Sequence, residues 1–187
     1  MRVLGISGSL RRDSHNMALL YAARELFETV GAELVVYDGL KELPPYDEDD
    51  DGADAPAAVT QLRALVAGVD AVLFATPEYN SSIPGQLKNA VDWLSRPLAT
   101  NPMRNKPVAV VGASTGMFGA VWAQAELRKV LAATGARVAE GEVAVGHAQT
   151  RFDDDGGLND PNLIEQLREV VLALLAEVQP VAERLAA

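Results

Sequence analysis

The chain contains no cysteine and only two histidines among 187 residues. The absence of cysteine excludes disulfide bonds, thiol catalysis and metal sites built on thiolates. No apolar run approaches the roughly 20 residues that a helix needs to cross a bilayer. No segment with the composition of a secretory leader precedes the first apolar stretch, which starts directly after Met1 and Arg2. We therefore expect a soluble, cytoplasmic protein that has no membrane partner.

The charge balance is strongly acidic, with 16 basic and 26 acidic residues and a net charge of −10. Six of the acids lie within residues 47–54, so the rest of the chain carries about −4. An acidic protein repels phosphate backbones, and we therefore expect no nucleic-acid partner. The acid run lacks the spacing of a calcium-binding loop. It is predicted to be a solvated surface loop, and the alternative is a segment that folds over a site.

Length and apolar content favour one domain over residues 1–187, with 49% of the residues hydrophobic. Strand-length apolar runs alternate with helical patterns, and the runs are continuous, as in parallel strands buried on both faces. The predicted strands cover residues 2–7, 33–38, 70–75, 106–113 and 137–145, with an interruption of the last at Gly141 left open. The predicted helices cover residues 17–30, 57–67, 84–95 and 118–134 and a long C-terminal segment that begins at Asp160-Pro161.

This alternation requires right-handed crossovers and hence a doubly wound α/β fold with helices on both faces of a parallel sheet. The turn after the first strand lacks the Gly-x-Gly-x-x-Gly pattern of the dinucleotide-binding fold. We therefore predict a flavodoxin-like sheet of five strands in the order 2-1-3-4-5. In that order ligands bind at the carboxyl ends of strands 1, 3 and 4.

The loop after the first strand has the composition of a phosphate-binding segment. Backbone N–H groups at a helix start, hydroxyls and a guanidinium together satisfy a phosphate monoester. Within ten residues the chain offers Ser7, Ser9, Arg11, Arg12, Ser14 and Asn16. An ordinary polar turn with Ser14 as helix N-cap is the alternative interpretation.

Two further loops lie where the predicted topology brings strand ends together. After the third strand, Tyr79 and Asn80 stand in a loop bounded by Pro77 and Pro84, which presents an aromatic face and backbone donors to a planar heterocycle. After the fourth strand, the glycines of residues 112–119 allow a ligand to approach the backbone closely. The three loops together favour a ligand that is both phosphorylated and planar.

Three motifs carry a resemblance to a known family: GSLRRDSHN at 8–16, PEYNSSIPGQLKNAVDWLSR at 77–96, and the Gly/Ser turn at 112–119. The chain resembles the NADPH-dependent FMN reductases, a flavodoxin-like group that includes quinone, azo-dye and chromate reductases. The resemblance implies FMN as cofactor, NADPH or NADH as electron donor, and a quinone, flavin, azo compound or chromate as acceptor. It also implies hydride transfer through the flavin without a catalytic side chain or a metal, and a homodimer or homotetramer.

The resemblance also implies which residues contact the cofactor. The residues that match the family's phosphate cradle are Ser9, Arg11, Ser14, Asn16 and Met17. The residues that match the loop along the flavin ring edge are Pro77, Glu78, Tyr79, Asn80 and Ser81. Ser114 and Gly116 match the third loop, near the pyrimidine end of the flavin. Relatives often carry a more glycine-rich turn than this chain has at Met117 and Phe118, which either narrow the pocket or only pack.

Several residues outside these groups permit two interpretations. Trp93 and Leu94 belong either to the core or to a subunit contact. A cluster of cations either reaches the phosphates of a nicotinamide nucleotide or is plain surface charge; it comprises Arg96, Arg104 and Lys106. His15, at a helix start, is interpreted as a solvated residue, with a functional role as the alternative. His147 is interpreted as a loop residue without a metal.

A second functional class also fits the sequence, namely a flavodoxin-like electron carrier that never reacts with a pyridine nucleotide. The acidic charge suits docking on basic partners. The fixed cation of Arg11 in the phosphate loop and the PEYNSSIPG segment favour a reductase instead. A scaffold that has lost its flavin is disfavoured because all three loops are intact.

Overall fold

The structure, a computed structural model, describes residues 1–52, 54–153 and 155–178. The strands are β1 (Arg2–Ser7), β2 (Glu33–Tyr37), β3 (Ala71–Thr76), β4 (Pro107–Ala113), β5 (Arg137–Val138) and β6 (Ala144–Val145). The helices are α1 (His15–Thr29), α2 (Ala57–Ala67), α3 (Gly85–Leu94), α4 (Val121–Ala133) and α5 (Pro161–Val178). Short 3₁₀ turns cover Gly39–Glu42 and Ala148–Thr150. Among the described residues, no helix is long and apolar enough to cross a membrane.

The sheet is parallel, and its strand order β2-β1-β3-β4-β5 confirms the predicted flavodoxin-like topology. Ser7 at the end of β1 pairs with Ala75 of β3, and Thr76 at the end of β3 pairs with Gly112 of β4. The carboxyl ends of these three strands are therefore level with one another. The loops that follow them open from one edge of the sheet.

The strand predicted over residues 137–145 is divided, so the sheet has six strands instead of five. β5 pairs with Pro107 and Val108 at the start of β4, and β6 pairs with Gly112 and Ala113 at its end. Gly141 in the gap has a φ of +106°, which breaks the extended conformation. The Arg128 guanidinium from α4 donates Nη2–H to Val110 O (3.0 Å) and Gly141 O (2.7 Å). The Arg128 side chain thus bonds backbone carbonyls in the gap where β4 has neither β5 nor β6 as a pairing partner.

Two apolar layers enclose the sheet. One packs α1 and α5 against the sheet, and the other packs α2, α3 and α4 against the opposite face. Trp93 and Leu94 are both fully buried in the second layer, and Trp93 Nε1–H donates to Pro44 O at 2.9 Å. The core interpretation of these two residues is therefore confirmed, and a subunit contact through their side chains is excluded by their burial.

The acid run over residues 47–54 is exposed along most of its length but is attached at one point. The Asp51 side chain is only 8% exposed and accepts a bond from Arg63 Nη2 of α2 at 2.8 Å. The same guanidinium donates to Trp93 O, so one acid joins the loop to both α2 and α3. Asp47, Glu48, Asp49, Asp50 and Asp54 are exposed, as a solvated loop requires. The run therefore has both a solvated part and an anchored residue.

Candidate functional site

The loops that follow β1, β3 and β4 line a single cleft at the carboxyl edge of the sheet. The predicted residues that line it are Ser9, Arg11, Ser14, Asn16, Pro77, Glu78, Tyr79 and Ser114. Three further lining residues were not among those predicted: His15, Ala113 and Thr115. The predicted residues outside this lining are Met17, Asn80, Ser81 and Gly116. The topology thus brings together the three segments that the sequence singled out.

The start of α1 provides donors for an anion. Ser14 is the N-cap, with extended backbone (φ −83°, ψ 121°), and its Oγ accepts the Met17 N–H at 3.2 Å. The N–H groups of His15 and Asn16 in the first turn have no acceptor within the described parts of the chain. Unpaired first-turn N–H groups and the positive end of the helix dipole favour an anionic ligand. Because Ser14 is the N-cap of α1 and also lines the cleft, the start of the helix faces the cleft.

Asn16 joins α1 to the end of β4. Its Nδ2–H donates to Ala113 O and its Oδ1 accepts the Ala113 N–H, both at 2.9 Å. The residue is only 3% exposed. One hydrogen of the side-chain amide is thereby used, so the second Nδ2–H and the backbone N–H of Asn16 remain as donors to a ligand. This pair of bonds fixes the first loop relative to the third.

Arg11 and His15 lie side by side on the cleft wall. Arg11 donates Nε–H to Asp13 O at 2.8 Å, and its Nη2 also bonds that carbonyl. Arg11 Nη2 is 3.4 Å from His15 Nε2. The imidazole stacks on Phe152 with ring centroids 6.0 Å apart and planes 9° from parallel. Burial of the ring, and then the charge of Arg11, lower the pKa of His15 below its usual 6.5.

The second loop contains a tight turn at Tyr79–Ser82. Tyr79 and Ser82 exchange two backbone hydrogen bonds of 3.1 Å. The central residues Asn80 and Ser81 have φ angles of 54° and 59°, the left-handed pair of a type I′ turn. Asn adopts this conformation more readily than most residues. Asn80 and Ser81 therefore form the turn, while Pro77, Glu78 and Tyr79 line the cleft.

Two carboxylates bond this loop to α4, one from the loop to the helix and one from the helix to the loop. Glu78 Oε2 accepts the Ala123 N–H in the first turn of α4 at 3.0 Å. Glu126 Oε2 on α4 accepts bonds from Ser82 Oγ (2.7 Å) and from the Ile83 N–H (3.3 Å). Glu126 was not predicted from the sequence because its partners are more than 40 positions away, so no local motif marks it. We call Glu78 and Glu126 the carboxylate latch.

The third loop is fixed by its contact with β6 and the segment after it. The Ser114 N–H donates to Val145 O, the Ala148 N–H to Ser114 O and the His147 N–H to Gly116 O, each at 3.0 Å. At Gly119 (φ +58°) an added Cβ would lie 2.3 Å from the Ala144 carbonyl carbon, so only glycine fits. This packing leaves Ser114 and Thr115 on the cleft wall.

The residues whose role the sequence left open lie on the outer surface of the same loop. Met117 is 64% exposed and Phe118 is 51% exposed. Phe118 contacts Trp122, itself 48% exposed, edge to face with ring centroids 5.0 Å apart. We call Met117, Phe118 and Trp122 the aromatic patch. Neither Met117 nor Phe118 lines the cleft.

The cluster of cations lies at the amino edge of the sheet, away from the cleft. Arg96 and Arg104 border a second cavity between the C-terminal ends of α3 and α4. Arg96 Nη1 bonds Ser95 O at 3.4 Å, Arg104 Nη2 bonds Leu98 O at 3.1 Å, and Lys106 Nζ bonds Val69 O. Burial lowers the pKa of Lys106, against an opposing effect of Asp70. These cations therefore bond backbone carbonyls at the edge of the sheet opposite the cleft.

Comparison with known proteins identifies the family. A family model described as NADPH-dependent FMN reductase matches residues 1–150. The chain is 42% identical over 176 residues to an NAD(P)H-dependent FMN reductase of Pseudomonas aeruginosa, covering 93% of each chain. It is 39% identical over 183 residues to a probable NADPH:quinone oxidoreductase of Oryza sativa subsp. japonica, covering 94% of this chain and 88% of the relative.

A solved structure gives the same result. The flavoenzyme FerB, an NAD(P)H:(acceptor) oxidoreductase from Paracoccus denitrificans, superposes with a TM-score of 0.82 at 36% identity. The alignment covers 95% of this chain and 96% of that one. The three loops that carried the resemblance are the three that form the cleft. The chain belongs to the NADPH-dependent FMN reductase family.

Proposed function

We propose that the protein uses FMN in this cleft to carry electrons from NADPH or NADH to small oxidised acceptors, with quinones as the principal class. The observation that carries the proposal is the convergence of the three motif loops on one cleft at the carboxyl edge of the sheet. The relatives named above as an FMN reductase and a quinone oxidoreductase support both halves of the reaction.

The donor set of the first loop fits the phosphate of FMN. Ser9, Arg11 and Ser14 line the cleft, beside first-turn N–H groups of α1 that have no acceptor among the described residues. A phosphate monoester needs several donors and positive charge at once, and this set supplies both. We assign the cofactor phosphate to these residues, with Met17 holding the cap through its N–H bond to Ser14.

The other two loops fit the flavin ring. FMN supplies a hydride acceptor and an electron relay when it is bound. Pro77, Glu78 and Tyr79 form one wall and Ser114 another, so the chain's work is to orient the ring and limit its water contact. Asn80 and Ser81 act through the turn that positions Tyr79, and the Gly116 carbonyl holds the third loop by its bond to His147.

An anaerobic reduction experiment tests the proposal directly. Purified protein is loaded with FMN, NADPH or NADH is added in separate cuvettes, and the flavin absorbance is followed. We expect rapid bleaching, with the faster nucleotide identifying the donor, and reoxidation when a quinone is added. Flavin that stays bound and oxidised with both nucleotides would contradict the reductase and support an electron carrier.

We also propose that the active species is a homodimer, or a tetramer of paired dimers, and that it resides in the cytoplasm, where reduced nicotinamide nucleotides are supplied. The aromatic patch supports self-association because large exposed aromatic side chains are enriched at protein interfaces. Light scattering of Trp122→Glu should give a smaller species than the unaltered protein. Tyr21→Glu is the matched control, because Tyr21 is equally exposed (48%) on α1. Equal masses for all three proteins would contradict the interface.

A further inference from the structure

We propose that His15 is a proton-dependent ligand of the cofactor phosphate, neutral in the free protein and protonated when the phosphate is bound. This inference rests on the proposed function, since it concerns FMN in the same cleft. His15 lies at the junction of the phosphate loop and α1, and the sequence favours a solvated residue there, with a functional role as the alternative. Its position on the cleft wall, beside Ser9, Arg11 and Ser14, calls for a different role.

The neutral state follows from the atom that His15 presents to Arg11. His15 Nε2 is 3.4 Å from Arg11 Nη2. A guanidinium only donates hydrogen bonds, so this contact is a hydrogen bond when the facing imidazole nitrogen carries a lone pair. The stacked contact with Phe152 fixes the ring plane, and hence the direction of Nε2. Burial and Arg11 both lower the pKa of His15, in agreement with this geometry.

The charged groups around His15 leave it without a carboxylate partner. Among the residues that the structure describes, neither Arg11 nor His15 forms an ion pair with an acid. The acids on neighbouring segments have other partners. Glu78 accepts from Ala123, Asp153 from Gly157 and Asp160 from Arg151. Asp13 contributes its carbonyl to Arg11. Two basic groups thus adjoin each other, and no acid that the structure describes forms an ion pair with either.

A dianionic phosphate changes this balance. With the phosphate beside both groups, protonation of Nε2 replaces a weak acceptor contact by a charge-assisted hydrogen bond to a phosphate oxygen. The anion favours the charged imidazolium and therefore raises the pKa of His15 relative to the free protein. The proton comes from solvent, so binding takes up protons near neutral pH. The affinity for FMN must then rise as the pH falls.

Binding titrations over the histidine range test this linkage. Flavin fluorescence quenching gives the dissociation constants of FMN and riboflavin with the apoprotein between about pH 6 and about pH 8. We expect the FMN dissociation constant to increase about tenfold across this range, because the complex holds a proton that the free protein lacks. Riboflavin lacks the phosphate, so its dissociation constant should stay constant.

The second ionisation of the FMN phosphate has a pKa of about 6, so the charge of the phosphate itself also makes FMN binding depend on pH. Three variants separate the two effects. His15→Phe keeps the stack on Phe152 but cannot bind a proton, and His15→Gln keeps a neutral polar group. His147→Asn removes the other histidine of the chain and is the matched control. Calorimetry in buffers of different ionisation enthalpy should show proton uptake with FMN for the unaltered protein and His147→Asn, and a clear decrease for both His15 variants.

The outcomes separate this inference from the function on which it rests. Equal proton uptake and equal pH slopes in the unaltered protein and both His15 variants would overturn the role of His15 and leave FMN binding intact. If the unaltered protein binds neither FMN nor riboflavin at any pH, the proposed function itself fails. If riboflavin shows the same slope as FMN, the titrating group does not act on the phosphate, and the inference is wrong.

Discussion

The carboxyl edge and the amino edge of the sheet differ in the charged and polar groups that they present. At the carboxyl edge, N–H groups at the start of α1 lack acceptors among the described residues and lie beside Arg11 and His15. At the amino edge, Arg96, Arg104 and Lys106 bond backbone carbonyls near the ends of helices. In this fold the helices present their positive N-terminal ends to one edge and their negative C-terminal ends to the other.

The number of basic side chains in a region is therefore a poor guide to where an anion binds in this fold. Basic side chains complement the negative ends of helix dipoles, so they collect at the amino edge for reasons of stability. An anionic ligand belongs at the opposite edge, where few charged side chains are needed because backbone donors are available. A protein with a net charge of −10 can therefore hold a phosphate through local geometry.

The largest contrast between the edges is expected from two buried asparagines that make equivalent bonds. Asn16 bonds both backbone groups of Ala113, and Asn101 at the amino edge bonds Leu98 O and the Met103 N–H. They are 3% and 5% exposed. Asn16→Ala leaves both buried backbone groups of Ala113 without these partners, and urea unfolding should show a loss of about 2–4 kcal/mol. Asn101→Ala leaves only the buried Met103 N–H without its partner, because Leu98 O keeps its bond from Arg104, so the loss should be about 1–3 kcal/mol.

Only Asn16→Ala should also weaken FMN binding, because only Asn16 joins the first loop to the third. We expect the dissociation constant, measured by fluorescence quenching on folded protein, to rise about tenfold or more. Equal FMN affinity in the two variants would show that Asn16 acts on stability alone, and the difference between the edges would then lose its main support.

The next effect concerns two exposed arginines at opposite edges. Arg11→Ala should weaken FMN binding by about 1.5–3 kcal/mol, the usual contribution of a charge-assisted hydrogen bond. Riboflavin binding should change much less, because the lost partner is the phosphate. Arg104→Ala serves as the control and should leave FMN affinity unaltered, since Arg104 bonds Leu98 O at the amino edge. An Arg11 variant with unaltered FMN affinity would remove Arg11 from the cradle.

The smallest expected effect tests the carboxylate latch as a positioning device. Glu126→Gln weakens the bonds to Ser82 and Ile83 without removing the side chain. We expect FMN affinity to fall by about 1 kcal/mol, roughly fivefold, while the unfolding free energy changes little. Glu169→Gln on α5 is the matched control. A fivefold loss in both variants would point to net charge, and no loss in either would show that the loop holds its shape without Glu126.

The sequence predicted the fold and the position of the cleft because both depend on local signals. Buried parallel strands read as continuous apolar runs, and the bounds of β1 and α2 agree with the prediction to the residue. Loops with Ser, Gly, Pro and Tyr mark strand ends, and the topology brings them together. Eight of the twelve predicted cofactor residues line the cleft for this reason.

The unpredicted features depend on contacts between distant residues. Glu126 and the Asp51–Arg63 pair have no local pattern, since their partners come from other elements. The type I′ turn explains why Asn80 and Ser81 lie off the cleft wall, a detail that depends on two positive φ angles. His15 was visible in the motif, but its neighbour Phe152 lies beyond β6, so only the folded chain shows the stack.

The divided edge strand has a consequence for how the protein behaves at high concentration. β5 and β6 contain two residues each, and Arg128 bonds Val110 O and Gly141 O in the gap between them. An unbroken edge strand offers a row of free backbone groups on which another chain can add a strand. Here that row is interrupted by a glycine bend and a charged side chain. On the side of β5 and β6, the sheet therefore ends in a boundary that resists the addition of a further strand.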